Sequence, residues 1–237
     1  MKTAQILIIG DEILSGRTKD TNSGFLCSEL YKRGVRTEAI AVLPDNIVLV
    51  SQWIHTRHAL SDFVFIAGGI GGTPDDITRQ AVAIGAGVRL VRNEIAEKIL
   101  NEYYKENINV ERLNMADLPE GCELIENSVS KAPGIKIKNI YVFAGIPKIL
   151  HAMFEKIAGE LLGGATMHEA ELKLSVGEGE IAGFMKTVNK EFPQLELGSY
   201  PTLEKDRGYR TMLVFRSLSQ ETVTEALARF KTLMSAL

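Results

Sequence analysis

A chain of 237 residues with 45% apolar side chains can bury a sizeable core and is long enough for a large domain followed by a small one. Its 27 basic and 30 acidic residues leave a net charge of -3, which supplies none of the positive field that phosphate-backbone binding uses, so nucleic acid is set aside as a partner. Cys27 and Cys122 are the only cysteines, which suggests neither a zinc site nor a disulfide framework. No uninterrupted apolar run reaches spanning length and no signal-peptide pattern opens the chain, so a reduced cytoplasmic protein with no membrane partner is expected.

Residues 4–9 read as a short continuous apolar strand, the kind buried on both faces of a parallel sheet, and end at Gly10. Over 22–33 the apolar residues Phe25, Leu26, Leu30 and Tyr31 recur at helical spacing, with Gly34 as the terminator. A second strand follows over 35–43, and Pro44-Asp45 opens a helix through Ile47, Val50, Trp53 and Ile54. Residues 62–67 give a third buried strand that runs into Gly68-Gly69-Ile70-Gly71-Gly72, and a helix starts near Pro74. Strands and helices alternating at this spacing predict an α/β fold with a doubly wound, mostly parallel sheet, whose ligands sit beyond the carboxyl ends of the strands.

Farther along, 93–105 reads as a helix, 109–118 as a shorter helix ended by Pro119, 137–143 as a strand, and 147–162 as a helix leading into Gly163-Gly164, a candidate hinge. The pattern then changes to strand 172–176, helix 178–192, strands 195–200 and 209–216, and helix 221–237. Such a βαββα unit is too short for another doubly wound sheet. It predicts a second, smaller α+β domain of KH-like order over 165–237, after an α/β domain over 1–164. It has no basic Gly-x-x-Gly loop and no clear aromatic platform for RNA.

Two strand-end loops, 10–22 and 68–79, are the places for a phosphate-bearing ligand. Gly68, Gly69, Gly71 and Gly72 can take positive φ and bring several N–H groups to an anion, with the positive end of the next helix behind them. Thr73, Pro74 and Asp76 also fit a helix cap, first turn and capping box, a reading that leaves the glycines and Asp75 unexplained. A phosphate here would be repelled by Asp75 and Asp76 by roughly 4 kcal/mol per close charge pair. A divalent metal, or a ligand whose hydroxyl or amino groups meet the acids, would offset this.

The first loop carries Asp11 and Glu12 where a dinucleotide turn would be glycine-rich, so ordinary NAD binding is disfavoured. Those two acids either meet the ligand or face solvent. Asp20, Thr21 and Asn22 read as helix-capping residues. His55 and His58 fit a half-exposed surface pair better than a metal site, and Lys131 either reaches a phosphate or is solvated.

The segments Gly10-Asp11-Glu12-Ile13-Leu14-Ser15-Gly16, Asp20-Thr21-Asn22, Gly68-Gly69-Ile70-Gly71, Thr73-Pro74-Asp75-Asp76-Ile77-Thr78-Arg79, Ala132-Pro133-Gly134 and Gly145-Ile146-Pro147 occur in one order. In that order the chain resembles the molybdopterin-binding fold of the MoaB and Mog proteins, and more closely the amino-terminal part of the CinA-like competence/damage-inducible proteins. Gly177-Glu178, Ile181-Ala182 and Leu197-Gly198-Ser199-Tyr200-Pro201 extend the likeness to CinA-like proteins and to the molybdopterin-binding-like part of eukaryotic FAD synthase. Two departures are Gly72, where the CinA-like loop has proline and which is expected to loosen the loop, and Ser130-Lys131 in place of Gly-Thr.

The resemblance implies a pterin or nucleotide-diphosphate site, and for the CinA-like branch a metal-dependent pyrophosphatase acting on ADP-ribose or FAD with Mg²⁺, Mn²⁺ or Co²⁺. On this reading Asp11, Asp75 and Asp76 are catalytic, and Asp11, Glu12, Asp75 and Asp76 hold the metal. Gly10, Glu12, Ser15, Asp20, Asn22, Gly68, Gly69, Gly71, Gly72, Thr73, Lys131, Pro133, Gly134, Gly145 and Pro147 bind the ligand. The alternative is a protein that holds molybdopterin or a nucleotide without chemistry. A homo-oligomer is expected by the same resemblance, and the nicotinamide-nucleotide amidase activity of full-length CinA proteins is not.

Overall fold

Strand β1 (Lys2–Ile9) is buried from Ala4 onward because both faces of its sheet are covered. Parallel to it run β2 (Val35–Leu43) on one side and β3 (Phe63–Gly68) on the other. In the computed structural model, which describes residues 1–161, 166–202 and 208–235, the chain forms two compact units, Met1–Gly164 and Ala165–Leu237. The expected hinge at Gly163-Gly164 lies outside the described residues.

The sheet of the first unit has six strands in the order β2-β1-β3-β8-β7-β6, where β6 is Glu123–Ile125, β7 Gly134–Ile137 and β8 Ile140–Ala144. Strand β8 is parallel to β3, whereas β7 and β6 run antiparallel and form one edge. The strand order reverses at β1. With right-handed crossovers, α2 (Asn22–Lys32) therefore lies on one face, and α3 (Ile47–Arg57) and α4 (Thr78–Ala86) on the other. Phe154 of α7 (Pro147–Ile157) packs edge-on to Phe25 of α2 at 5.6 Å. On the opposite face Gly85 lets α4 approach α3 so closely that a Cβ there would lie 2.6 Å from Cβ of Ile54. The reversal leaves a crevice at the carboxyl ends of β1 and β3, at Gly10 and Gly68.

Several elements differ from the expected ones for local reasons. The loop after β1 contains a helical turn, α1 (Asp11–Leu14), which Gly16 ends at φ 74°. Helix α4 starts at Thr78 and not near Pro74. The expected helix 109–118 is a single turn, α6 (Val110–Leu113), after α5 (Glu94–Tyr104). Beyond it the chain turns into β5 (Asp117–Pro119), which pairs with β4 (Leu90–Arg92), while Arg92 binds Asp117 at 2.7 Å. The single strand expected at 137–143 is the β7–β8 hairpin, turned at Lys138 with φ 54°.

The second unit runs β9 (His168–Leu174), α8 (Glu178–Glu191), β10 (Glu196–Pro201), β11 (Thr211–Ser217) and α9 (Gln220–Met234). Its antiparallel sheet has the order β10-β11-β9, and Ile181, Val188, Leu213, Phe215 and Phe230 form the core beneath the two helices. Strand β9 starts earlier than the apolar run at 172–176 suggests, because its alternation of Glu169, Glu171 and Lys173 with Ala170 and Leu172 is that of a half-buried strand. Among the described residues no helix is long and apolar enough to cross a membrane.

Candidate functional site

Gly10 leaves β1 with its N–H bonded to the Leu43 carbonyl at 3.1 Å. A Cβ on Gly10 would lie 2.6 Å from Oε2 of Glu12, so the glycine makes room for that carboxylate. The amide of Asp11 donates to Oδ2 of Asp45 at 3.0 Å, which ties α1 to the start of α3. Burial pushes the Asp45 carboxyl above its ordinary range, and the charges of Asp11, Glu12 and Asp75 push it further, against the bond from the Asp11 amide. Asp45 thus stands in the field of three other acids. In the sequence it reads only as a helix-opening residue.

The glycine loop does not use the positive φ expected of it. Positive φ among the described glycines occurs at Gly16, Gly34, Gly87, Gly121 and Gly208, none of them in the loop. Its residues are glycines because neighbours occupy the space of a side chain. A Cβ on Gly71 would lie 2.5 Å from Oδ2 of Asp76, and one on Gly69 would also meet that carboxylate. Oδ2 of Asp76 accepts the amide of Thr73 at 2.9 Å and its hydroxyl at 2.5 Å, closing a turn rather than capping α4. A Cβ on Gly72 would run into the backbone of Glu111, at 2.7 Å from its carbonyl carbon, so Gly72 seats α6 against the loop instead of loosening it.

Arg79 locks this arrangement. It is 7% exposed and donates to the carbonyls of Gly71 at 2.6 Å, Asp117 at 3.0 Å and Asn114. Burial lowers its basicity, with Asp76 and Asp117 opposing the shift. Gly145 forms the third side: its amide donates to Gly68 at 2.9 Å, and its carbonyl accepts the buried Asn22 amide at 2.6 Å.

These segments surround a cavity of about 590 Å³. Of the expected residues, Gly10, Glu12, Gly68, Gly69, Gly71, Asp75, Asp76, Gly145 and Pro147 line it. Asp45, Tyr104, Met115 and Ser130 line it as well, and of these only Ser130 lay beside a segment with a site signal. Among the described residues its walls hold the carboxylates of Glu12, Asp45, Asp75 and Asp76 and no lysine, arginine or histidine. Asp75 is exposed, and the Thr73 side chain beside it, then its own backbone N–H, hold its carboxyl below the ordinary range.

The remaining expected residues are outside the lining. Asp11 contributes its amide to Asp45, and Ser15 closes the α1 turn on the Glu12 carbonyl at 3.3 Å. Asp20 caps α2 by accepting the amides of Asn22 at 2.8 Å and Ser23 at 3.2 Å. Asn22, Gly72 and Thr73 hold the walls from behind. Gly134 is a packing glycine of β7, where a Cβ would lie 2.5 Å from the Val142 carbonyl. Lys131 and Pro133 border a second cavity, beside Ile95 and Tyr103. Asn127, only 3% exposed, organises that turn by donating to Ser130 at 2.7 Å and to the Ala132 carbonyl at 2.8 Å.

Of the four acids expected to hold a metal, Glu12, Asp75 and Asp76 line the cavity and Asp11 does not. Among the described residues no three of histidine, cysteine, aspartate or glutamate gather as a set able to hold a metal ion. Asp76 is engaged by Thr73, and Asp11 is not part of the cavity wall.

Residues 5–163 match the probable molybdopterin binding domain, and residues 166–236 match the FAD synthase middle domain. A CinA-like protein of Sulfurihydrogenibium sp. is 39% identical over 65% of this chain and 40% of its own length. A probable FAD synthase of Caenorhabditis elegans is 27% identical over 99% of this chain and 50% of its own length. The chain therefore spans half or less of each of these two relatives. The crystal structure of the protein CinA from Thermoplasma acidophilum superposes with a TM-score of 0.65 at 30% identity, covering 68% of this chain and 98% of that one. The chain belongs to the molybdopterin-binding-domain family, as a CinA-like protein whose second unit matches the FAD synthase middle domain.

Proposed function

We propose that this cavity binds a nucleotide diphosphate, such as ADP-ribose or FAD, together with a divalent cation, and hydrolyses the diphosphate. The observation that carries the reading is the lining: a glycine-walled crevice with four carboxylates and no basic side chain. Such a wall rejects a bare polyanion and accepts one that arrives with a cation. Hard oxygen donors suit Mg²⁺, Mn²⁺ or Co²⁺, and Mg²⁺ takes only one or two carboxylates when phosphate oxygens complete its shell. Glu12 and Asp75 are the residues that would hold it. Bound there, the ion would neutralise phosphate charge and make a coordinated water more acidic.

Asp45 is suited to take the proton of the attacking water. Its elevated proton affinity moves it toward the range of a general base, and the Asp11 amide fixes Oδ2 so that Oδ1 is the free acceptor. Attack of the water oxygen on phosphorus, with departure of the bridging oxygen, gives AMP and the second phosphate ester. Asp76 and Arg79 hold the loop in shape and touch no reacting atom. The likeness to probable FAD synthases supports nucleotide processing as the broader class.

A second reading, binding of molybdopterin or a nucleotide without turnover, is favoured by the match of residues 5–163 to the probable molybdopterin binding domain. Incubation of ADP-ribose or FAD with the protein and Mg²⁺, Mn²⁺ or Co²⁺ separates the two. Release of AMP that Asp45→Asn abolishes supports hydrolysis. Tight binding with the ligand recovered intact supports the second reading.

A further inference from the structure

The acids account for only part of the cavity wall. Tyr104, Met115 and Ile146 line it too, and they offer apolar and aromatic surface without charge. We infer that these three side chains form the seat for a planar heterocycle, the base or pterin ring of the ligand, with Tyr104 as the specificity-determining residue. The inference rests on the nucleotide or pterin reading of the same cavity.

Tyr104 is the last residue of α5, and its ring is held before any ligand arrives. The Arg112 guanidinium lies 4.5 Å from the ring centroid, and Tyr103 packs against it edge to face at 4.9 Å. Arg112 is itself fixed, its amide bonded to Asn109 Oδ1 at 2.9 Å and its guanidinium to the Asn107 carbonyl. The segment that carries Arg112 and Met115 is joined to the glycine loop twice, at Gly72 against Glu111 and through Arg79 to Asn114 and Asp117. The aromatic wall and the glycine loop therefore keep a fixed spacing. A ligand with both a phosphate and a flat ring can use both walls without ordering either, which lowers the cost of binding.

Ile146 completes the seat. It is 60% exposed, in a turn whose backbone is fixed on both sides by Gly145 bonded to Gly68 and by Pro147 at the start of α7. An aromatic ring fits such a wall through dispersion and area burial, with no charge to be matched.

The test is calorimetric titration, in Mg²⁺, of AMP and of ribose 5-phosphate, in which an anomeric hydroxyl stands in place of the adenine ring. The native protein is expected to bind AMP the more tightly. Tyr104→Ala is expected to weaken AMP by about 5- to 150-fold, the range seen when an aromatic partner of a base is removed, and to leave ribose 5-phosphate within about twofold. Tyr104→Phe is expected to keep the native affinity for AMP. Ile146→Ser, at an exposed site that the fold tolerates, is expected to weaken AMP selectively by a smaller factor. Unchanged AMP affinity in both Tyr104→Ala and Ile146→Ser, or an equal loss for both ligands, overturns the ring seat and leaves the phosphate site standing. Failure of the native protein to bind either ligand overturns the cavity reading and the ring seat with it.

Discussion

Replacing Arg79 by methionine keeps most of the apolar stem and removes the guanidinium that joins the glycine loop to the 114–117 segment. Three carbonyls, of Gly71, Asn114 and Asp117, lose their donor inside the protein. Hydrogen bonds from a charged group are worth about 1.5–3 kcal/mol each, but removing a buried cation also returns a desolvation cost of several kcal/mol. The remainder is a destabilisation of about 2–4 kcal/mol. At about 2–4 °C per kcal/mol for a chain of this size, the melting temperature should fall by roughly 4–16 °C. Thermal scans followed by near-ultraviolet circular dichroism measure the fall. Arg79→Lys should restore only part of it, since a single ammonium cannot reach all the acceptors of the planar fork. A melting temperature within about 2 °C of the native one for Arg79→Met would refute the claim that this side chain holds the cavity wall, since about 1 kcal/mol is then the most it supplies.

Three further outcomes follow from the same contacts. Gly72→Ala should destabilise the chain by about 1–3 kcal/mol, because the obstacle is the Glu111 backbone and not a flexible side chain; denaturant titration showing native stability would contradict this. Asn22→Ala should cost about 1–3 kcal/mol by leaving the Gly145 carbonyl without its donor, and nucleotide affinity measured alongside should fall as the Gly145 turn loosens. For Asp45 the folded carboxyl lies above its unfolded value, so the folded chain holds an extra proton between the two, and stability falls as pH rises through that window. Asp45→Asn should flatten this fall and leave the chain more stable than the native protein above it. A native-like pH profile of the melting temperature in that variant would show that Asp45 is not strained by its neighbours.

The parallel half of the sheet was legible because β1 and β3 are continuous apolar runs ending in glycine, and because Gly34 stops α2 as its position suggests. The antiparallel edge strand β6 and the separate β4–β5 pair were not. Strands β4, β5 and β6 have three residues each, too few to show a period, and their pairing depends on partners distant in sequence. The site was legible at Gly10, Glu12, Gly68, Asp75 and Gly145, where strand-end glycines and acids mark a crevice. The purpose of the loop glycines was not, since crowding by Asp76 and Glu111 leaves the same mark in sequence as a need for positive φ. Asp45 is read from sequence as a helix start, and only the return of β2 beside β1 brings it against Asp11. Tyr104 and Met115 give no local signal, because what places them is the contact between α6 and Gly72.

The central claim is that the cavity takes a diphosphate only with a cation. Titration of the non-hydrolysable α,β-methylene-ADP into the native protein, once in excess Mg²⁺ or Mn²⁺ and once in chelator, tests it directly. The account predicts saturable binding with the metal and a loss of at least about tenfold, or about 1.4 kcal/mol, without it. Equal affinity in chelator would contradict it, because four carboxylates and no basic side chain give a bare diphosphate nothing to offset its charge.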